Sequence, residues 1–272
     1  MPHVRVGDIQ ICYEIVGPTN ISRGPRLLYI SGTGGDLRRP PNALSSPLPN
    51  HFELLTYDQR GLGRTDKPDG PYTMRQYGDD AAALLDALGW TSCHVIGVSF
   101  GGMVAQELAI NHPVKVQKLV LCCTSAGGAG GASYPLHEID HLPIEERMRL
   151  RIMRTDTRTD AAWIAAHPED FKAMYDQALA EVRRFADAPR RAEGARWQLL
   201  ARAAHDAWDR IGALDMPVLV CGGRYDGQAE PAVVEALARR IPRARLEFFE
   251  GGHGFLNQDP GAYKRISDFL RA

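Results

Sequence analysis

The sequence carries almost no net charge and contains no long apolar run. Its 272 residues include 32 Lys and Arg against 33 Asp and Glu, which gives a formal net charge of −1. Proteins that bind nucleic acid or an anionic membrane surface through electrostatics need an excess or a patch of positive charge. No apolar run approaches the roughly 20 residues of a membrane span, and residues 1–8 lack the apolar centre of a signal peptide. We therefore expect neither a nucleic-acid partner nor a membrane partner.

Cysteine is scarce, and its spacing does not indicate metal binding. The five cysteines, most of them inside apolar runs, are Cys12, Cys93, Cys122, Cys123 and Cys221. The number is odd and no Cys-x-x-Cys occurs, so the sequence indicates neither a disulfide framework nor a zinc site. We expect buried free thiols in a reducing cytoplasm, and no bound metal.

The sequence does contain enough apolar residues for a large core, arranged in alternating segments. Hydrophobic residues make up 44% of the chain, which suits one α/β domain with or without an insertion. Two alternating segments, 4–6 and 9–15, flank Gly7-Asp8 and predict a hairpin. Further strands are predicted at 26–30, 52–58, 93–96, 116–123, 217–221 and 244–250, and helices at 74–88, 103–110, 231–240 and 260–270. Strands that alternate with helices predict a parallel sheet.

The alternation stops between about residues 136 and 211, where no strand is predicted. This stretch is helical in composition and holds twelve arginines, and Pro143, Pro168 and Pro189 indicate breaks between helices. A glycine-rich segment, 125–133, precedes it and is interpreted as a flexible joint. We therefore predict a core domain made of residues 1–126 and 213–272, with a helical cap inserted at 127–212.

A possible nucleophile, Ser99, lies in Gly97-Val98-Ser99-Phe100-Gly101, between a predicted strand and a predicted helix. A sharp turn at this point presents the hydroxyl at the carboxyl end of a strand, and the glycines let strand and helix pass closely. A Gly/Ser turn before a helix can also be only a helix cap. The strand before it and the helix after it favour the catalytic interpretation.

A serine nucleophile needs a base and a carboxylate that orients the base. His253 follows the last predicted strand, and Asp226 follows the strand before it, so both lie at the same edge of the sheet as Ser99. Glu230 shares the loop of Asp226 and is the alternative carboxylate. Both His253 and Asp226 could instead be ordinary turn residues, but the order Ser, Asp, His after three parallel strands favours catalysis.

The developing oxyanion of such a reaction needs hydrogen-bond donors. The backbone amide of Phe100 lies at a helix start, where amides are free. A second amide is expected from the glycine-rich loop after residue 30, from Thr33 or, as the alternative, Gly34. This loop could also be a plain connection or a phosphate cradle, although no Gly-Lys-Ser/Thr follows it.

Together these motifs resemble the α/β-hydrolase superfamily over the whole chain. The resemblance is carried by Gly97-x-Ser99-x-Gly101-Gly102, Tyr57-Asp58-Gln59-Arg60-Gly61-x-Gly63, Gly223-x-x-Asp226 and Gly252-His253. It implies an eight-stranded, mostly parallel sheet, a Ser99/His253/Asp226 triad and a cap over the site. It also implies that Asp58 and Arg60 brace the core near the site.

The chain departs from the family pattern at three positions. Ser31-Gly32 replaces the frequent His-Gly, Thr65 occupies a common serine position, and Pro231 lies one residue later than usual after Asp226. Serine rather than aspartate at position 99 disfavours haloalkane dehalogenase and epoxide hydrolase chemistry, which needs a carboxylate nucleophile.

We expect a cofactor-independent serine hydrolase that acts on an ester or lactone of a small molecule. Size and cap are similar to those of 3-oxoadipate enol-lactonases and related hydrolases. The alternatives are a C–C bond hydrolase of a meta-cleavage-type diketone, an aminopeptidase, and a non-enzymatic ligand receptor. Because the core loops show few other cations, we also expect at least one cap arginine to bind a substrate carboxylate, as the enol-lactonase resemblance requires.

Overall fold

The computed structural model describes residues 1–18 and 24–272, and within them it contains one eight-stranded sheet. The strand order is β1-β2-β4-β3-β5-β6-β7-β8. The pairs β1–β2 and β2–β4 are antiparallel, and all other neighbours are parallel. The strands are β1 His3–Val6, β2 Ile9–Val16, β3 Arg26–Ile30, β4 Glu53–Tyr57, β5 Cys93–Val98, β6 Val116–Cys122, β7 Val218–Gly223 and β8 Ala244–Phe249. The mostly parallel α/β-hydrolase sheet predicted from the sequence is confirmed.

The central strands are buried on both faces, which explains why their sequences are continuously apolar. In β3, Leu27, Leu28 and Ile30 are each 0% exposed. Helix α2 is buried at every position from Phe100 to Ala109. Helix α1 begins after Thr73, whose side chain accepts the amide hydrogen of Gln76. The helices are α1 Met74–Ala87, α2 Phe100–Asn111, α3 Ile144–Thr155, α4 Ala161–Ala166, α5 Pro168–Arg183, α6 Arg191–Ala203, α7 Trp208–Ile211, α8 Pro231–Arg240, α9 Phe255–Gln258 and α10 Ala262–Arg271.

Helices α3 to α7 lie between β6 and β7, in the segment 127–212 that we call the cap. Ile152, Ile164 and Phe171 form a small apolar cluster of their own, separate from the main core. The three predicted breaks are present: Pro143 lies just before α3, Pro168 begins α5, and Pro189 lies between α5 and α6. The break between α3 and α4 lacks a proline, and α4 begins after Asp160, whose side chain accepts the amide hydrogen of Trp163.

The glycine-rich segment 125–133, where the chain enters the cap, is packed tightly, and its glycines provide close contact rather than the flexibility predicted from composition. A methyl group at Gly127 would overlap the carbonyl oxygen of His205, and one at Gly130 would overlap the Trp208 ring. The amide of Ala207 donates to the carbonyl of Ala126, which ties the two connections of the cap together (2.7 Å). Composition alone does not distinguish a hinge from a close contact, since both favour glycine.

Two smaller differences from the sequence prediction concern the chain between and after the strands. The segment 37–50, for which no helix is predicted, contains two 3₁₀ turns, Ala43–Ser45 and Leu48–Asn50. The predicted last helix, 260–270, is Ala262–Arg271, and the extra turn Phe255–Gln258 before it was not predicted. No helix in residues 1–18 or 24–272 is long and apolar enough to cross a membrane.

Candidate active site

Ser99 lies at the turn between β5 and α2 in a strained backbone conformation, with φ 55° and ψ −116°. The flanking positions, Gly97 and Gly101, require glycine for steric reasons. A methyl group at Gly97 would overlap the carbonyl oxygen of Gly101, and one at Gly101 would overlap the carbonyl oxygen of Ile30. The amide of Ser99 donates to the carbonyl of Cys122 in the neighbouring strand (2.8 Å). The turn is therefore held from both sides, and only glycine fits at either flank.

His253 follows β8 and connects Ser99 to Asp226. Its Nε2 atom lies 2.9 Å from the Ser99 hydroxyl oxygen, and its Nδ1 atom lies 2.8 Å from the Asp226 carboxylate. The backbone amide of His253 donates to the carbonyl of Thr155, at the end of cap helix α3. The imidazole thus occupies the position in which a general base could accept the serine proton.

Asp226 is held in place by hydrogen bonds from its own loop. It is 1% exposed, and its second carboxylate oxygen accepts the amide hydrogens of Gln228 (2.7 Å) and Ala229 (2.9 Å). The alternative carboxylate, Glu230, is exposed and lies just before α8. The structure therefore brings Ser99, His253 and Asp226 together and leaves Glu230 outside this cluster.

The glycine-rich loop after β3 lies directly beside Ser99. A methyl group at Gly32 would be 3.4 Å from the Ser99 Cβ atom. The Gln59 side-chain amide donates to the Ser31 carbonyl and braces the loop from below (2.8 Å). Asp58 holds the continuation of the loop through the amide of Leu37 (2.7 Å). Burial raises the pKa of the Asp58 carboxyl, although the hydrogen bonds from backbone amides oppose this effect.

Two backbone amides near Ser99 are available as oxyanion donors. Phe100 is the first residue of α2, so its amide has no acceptor within the helix. The amide of Gly34 already donates to the side-chain oxygen of Gln198 (2.8 Å), whereas no described residue accepts the amide hydrogen of Thr33. Of the two donors predicted from this loop, the geometry favours Thr33 over Gly34. Gln198 was not predicted, because nothing local in the cap sequence indicates a partner 164 residues away.

Cys123 lies close to the base and was not singled out in the sequence. Its sulfur and the ligand atoms of Asp226 and His253 lie within 4.8 Å of one another, the kind of trio that can hold a metal ion. Burial raises the pKa of the Cys123 thiol well above its usual range, and the charge of Asp226 raises it further. Both effects favour the protonated thiol over the thiolate.

A cavity of about 580 Å³ separates the core loops from the cap. Thr33 and Gly34 line it on the core side, and helices α3, α5 and α6 line it on the cap side. Four arginines contribute to its wall: Arg39, Arg147, Arg151 and Arg191. Three come from the cap, but Arg39 comes from the core segment after β3. One core arginine among these four agrees with the expectation that the core loops offer few cations here. Arg39 itself was not predicted, because it lies in a stretch without any regular sequence pattern.

Comparison with known proteins places this chain in a family. A family model described as the alpha/beta hydrolase fold matches residues 25–260. The chain is 30% identical over 258 residues to RutD of Caulobacter segnis, which carries the name of a carbamate hydrolase, and the match covers 93% of each protein. The chain belongs to the α/β-hydrolase family, and it is a hydrolase.

Two solved structures are similar over nearly the whole chain. The enol-lactonase from Burkholderia xenovorans LB400 matches with a TM-score of 0.79, 25% identity and 100% coverage of both chains. A thermophilic esterase from Thermogutta terrifontis, solved with malate bound, matches with a TM-score of 0.73 and 25% identity, covering 100% of this chain and 97% of that one.

Proposed function

We propose that the protein is a serine hydrolase that cleaves a carboxylic ester or lactone of a small molecule through an acyl-enzyme. One observation carries this proposal: the continuous pair of contacts from Ser99 through His253 to Asp226, at 2.9 and 2.8 Å. A serine hydroxyl becomes nucleophilic only with such a base, and the base needs a fixed orientation.

In the proposed mechanism, the Ser99 oxygen attacks the substrate carbonyl carbon while His253 Nε2 accepts the hydroxyl proton. This requires the tautomer with the proton on Nδ1, which the adjacent Asp226 carboxylate favours. The resulting imidazolium is stabilised by the charge of Asp226. The two amides that donate to Asp226 keep its other oxygen occupied and so prevent the carboxylate from rotating away.

The tetrahedral intermediate places its negative oxygen between the amides of Thr33 and Phe100. It collapses when His253 donates its proton to the leaving alcohol or enol oxygen, which leaves an ester between the acyl group and Ser99. Water then attacks this ester with His253 again as the base, and the acid product leaves. Each oxyanion donor contributes on the order of 3 kcal/mol to such a step.

The comparisons support this choice of substrate class. The enol-lactonase and the esterase are named for lactone and ester cleavage. The name of RutD adds carbamates, whose carbonyl carbon would be attacked in the same way. A carbamate therefore belongs in the test panel, together with a dienone for C–C bond cleavage and a peptide with a free amino terminus.

The deciding experiment is covalent labelling combined with a substrate panel. Treatment with a fluorophosphonate should place one adduct on the peptide that contains Ser99, as measured by mass spectrometry. Esters of p-nitrophenol and simple lactones should be hydrolysed faster than the dienone, the carbamate and the peptide. The Ser99→Ala variant should lose both the adduct and, by a factor of about 10³ or more, the hydrolysis.

The control is Ser92→Ala, which removes another hydroxyl at the opposite end of β5 and should change neither result. An adduct on another residue would overturn the assignment of the nucleophile. A protein that neither reacts with the fluorophosphonate nor turns over any substrate would instead be the ligand receptor considered as the alternative.

A further inference from the structure

Two buried polar side chains of cap helix α6 have donors without acceptors. Arg202 is 5% exposed, and its Nη1 atom donates to the carbonyl of Tyr134 (2.7 Å). Its Nε and Nη2 atoms are buried and have no hydrogen-bond partner among residues 1–18 and 24–272. Gln198 is 0% exposed, and its Nε2 atom is likewise without a partner there. The two residues lie one turn apart on the same face of α6, and Gln198 lines the cavity.

The free pair of donors on Arg202 is the edge of the guanidinium that binds a carboxylate with two parallel hydrogen bonds. The same molecule uses this edge elsewhere. The Nε and Nη2 atoms of Arg38 donate to the two oxygens of Asp36 at 2.8 and 2.6 Å. Those of Arg158 donate to Asp156 at 2.9 and 2.7 Å. The edge left free on Arg202 thus matches a carboxylate in shape and charge.

Arg151 of helix α3 supplies a second cation at the same place. It lines the cavity, and no described residue accepts a hydrogen bond from its guanidinium or forms an ion pair with it. Burial and the positive charge of Arg151 together lower the pKa of Arg202 to about 10. Burial also lowers the pKa of Arg151, the charges of Arg147 and Arg39 add to this effect, and the charge of Asp140 opposes it. The cavity wall therefore holds several cations that repel one another.

No carboxylate in residues 1–18 or 24–272 forms an ion pair with Arg151 or Arg202. The two acidic residues that line the cavity have other partners, since Asp36 is bound to Arg38 and Asp140 to Arg147. The residues outside the described ranges, 19–23, contain neither Asp nor Glu. A buried cation without a counter-ion is unfavourable, and an anionic ligand would relieve this cost.

We propose that Arg151 and the Gln198 side-chain amide, which both line the cavity, form a subsite for a carboxylate carried by the substrate, with the buried cation Arg202 behind them. This inference rests on the proposed function, because it assigns a second contact to the molecule that Ser99 attacks. Gln198 joins the two places: its oxygen binds the amide of Gly34, beside Thr33, while its nitrogen belongs to the subsite. Arg151 lines the cavity directly, whereas the free edge of Arg202 is covered, so Arg151 should contribute more to binding.

The test compares the 4-nitrophenyl hemiester of glutarate with its neutral methyl ester. The wild-type kcat/KM should be at least about tenfold higher for the acid. Arg151→Met should lower kcat/KM for the acid about 100-fold, and Arg202→Met about tenfold, while the neutral ester changes less than about threefold. Arg196→Met removes an exposed cation from the same helix and should leave both values unchanged.

Activity on the neutral ester also shows that each variant is folded, and Arg151→Lys should keep part of the preference for the acid. A wild-type preference for the neutral ester that neither arginine variant alters would overturn the subsite and leave the proposed function intact.

If neither ester is hydrolysed, calorimetric titration of glutarate into the Ser99→Ala variant tests binding at the subsite independently of catalysis. Binding that Arg151→Met abolishes would support the subsite although the proposed function had failed. Equal affinity for glutarate and inorganic phosphate would overturn it, because it would indicate a general anion site rather than one for a carboxylate.

Discussion

The Asp226 carboxylate uses its two oxygens for different purposes. One oxygen is fixed by the amides of Gln228 and Ala229, and the other faces His253. An asparagine at this position would place its NH₂ group either against the backbone amide hydrogens of Gln228 and Ala229 or against the imidazole of His253. The proposed mechanism therefore depends on the charge of this side chain and on its ability to accept hydrogen bonds on both sides.

We expect Asp226→Asn to lower kcat by a factor of about 10³ to 10⁴, because the asparagine stabilises the wrong tautomer of His253. KM should change little, since Asp226 is 1% exposed and has no access to substrate. Steady-state kinetics on a p-nitrophenyl ester provides the measurement. Glu230→Gln is the matched control and should stay within about threefold of the wild type. If that variant is the inactive one, the late position of Pro231 reflects a different orienting carboxylate.

Residues that follow parallel strands could be predicted from the sequence, and residues that meet through the cap could not. Ser99, Asp226 and His253 each follow a strand, and parallel strands bring such residues to one edge of the sheet. Gln198 lies in an ordinary helix, and Arg39 lies in an irregular loop. Their places beside the site depend on where α6 is docked, which no local pattern in the sequence encodes.

The turn from β5 into α2 brings the backbone of α2 so close to the backbone of β3 that no side chain fits between them. Gly101 lies in the first turn of α2, where a methyl group would overlap the main-chain oxygen of Ile30 in β3. Backbone atoms cannot rotate away as a flexible side chain can, so this contact must be relieved by moving the helix.

Gly101→Ala should lower the free energy of unfolding by about 3 kcal/mol, which is typical of overpacking at a rigid contact. Urea unfolding followed by circular dichroism would measure the change. Gly17→Ala is the control: its added methyl group would lie 3.6 Å from the nearest atom, in ordinary contact, and should have little effect. Equal stability of the two variants would contradict this account of the turn.

The connection from α6 to α7 contains a buried histidine that opposes protonation. His205 is 6% exposed and lies 3.3 Å from the side-chain oxygen of Gln106 in α2. Burial lowers the pKa of His205 to about 4, against an ordinary value of 6.5. The unfolded chain therefore takes up a proton on this residue at a higher pH than the folded chain does, and acid favours unfolding.

The stabilisation from neutral His205 should be complete above about pH 6.5 and should decrease as the pH falls toward 4. Between pH 7.5 and pH 5 the decrease should be about 2 kcal/mol, from the linkage of a single titrating group. Denaturant unfolding of the wild type and of His205→Gln at both pH values isolates this contribution, because glutamine does not titrate. The same pH dependence in both proteins would show that His205 is accessible to protons in the folded state.

The overall architecture could be predicted because each strand and most helices have a recognisable local pattern of apolar residues. The position of the cap on the core could not, because it depends on contacts such as that between Gly61 and Gly194, two glycines far apart in sequence. The boundaries of the cap at 127 and 212 stay a prediction, as does the cytoplasmic location expected from the five cysteines, all of which are free and buried in the structure.

Helix α6 couples the cap to the site along its length. At Gly194 its backbone touches the core backbone at Gly61, one turn later Gln198 binds the amide of Gly34, and a further turn on lies Arg202. A methyl group at Gly194 would overlap the carbonyl oxygen of Gly61. Any change that moves this end of α6 outward should therefore also move Gln198 away from the oxyanion loop.

Gly194→Ala separates the effect of docking from the effect of helix propensity, because the two have opposite signs. In an undocked helix, alanine would stabilise by about 1 kcal/mol relative to glycine. With the contact to Gly61, we expect instead a lower melting temperature and a kcat/KM reduced about tenfold. Calorimetric melting and ester kinetics on the same preparation would measure both, with Gly17→Ala as the control. A higher melting temperature with unchanged kcat/KM would mean that α6 is not held against the core, because the added methyl group would then meet no resistance.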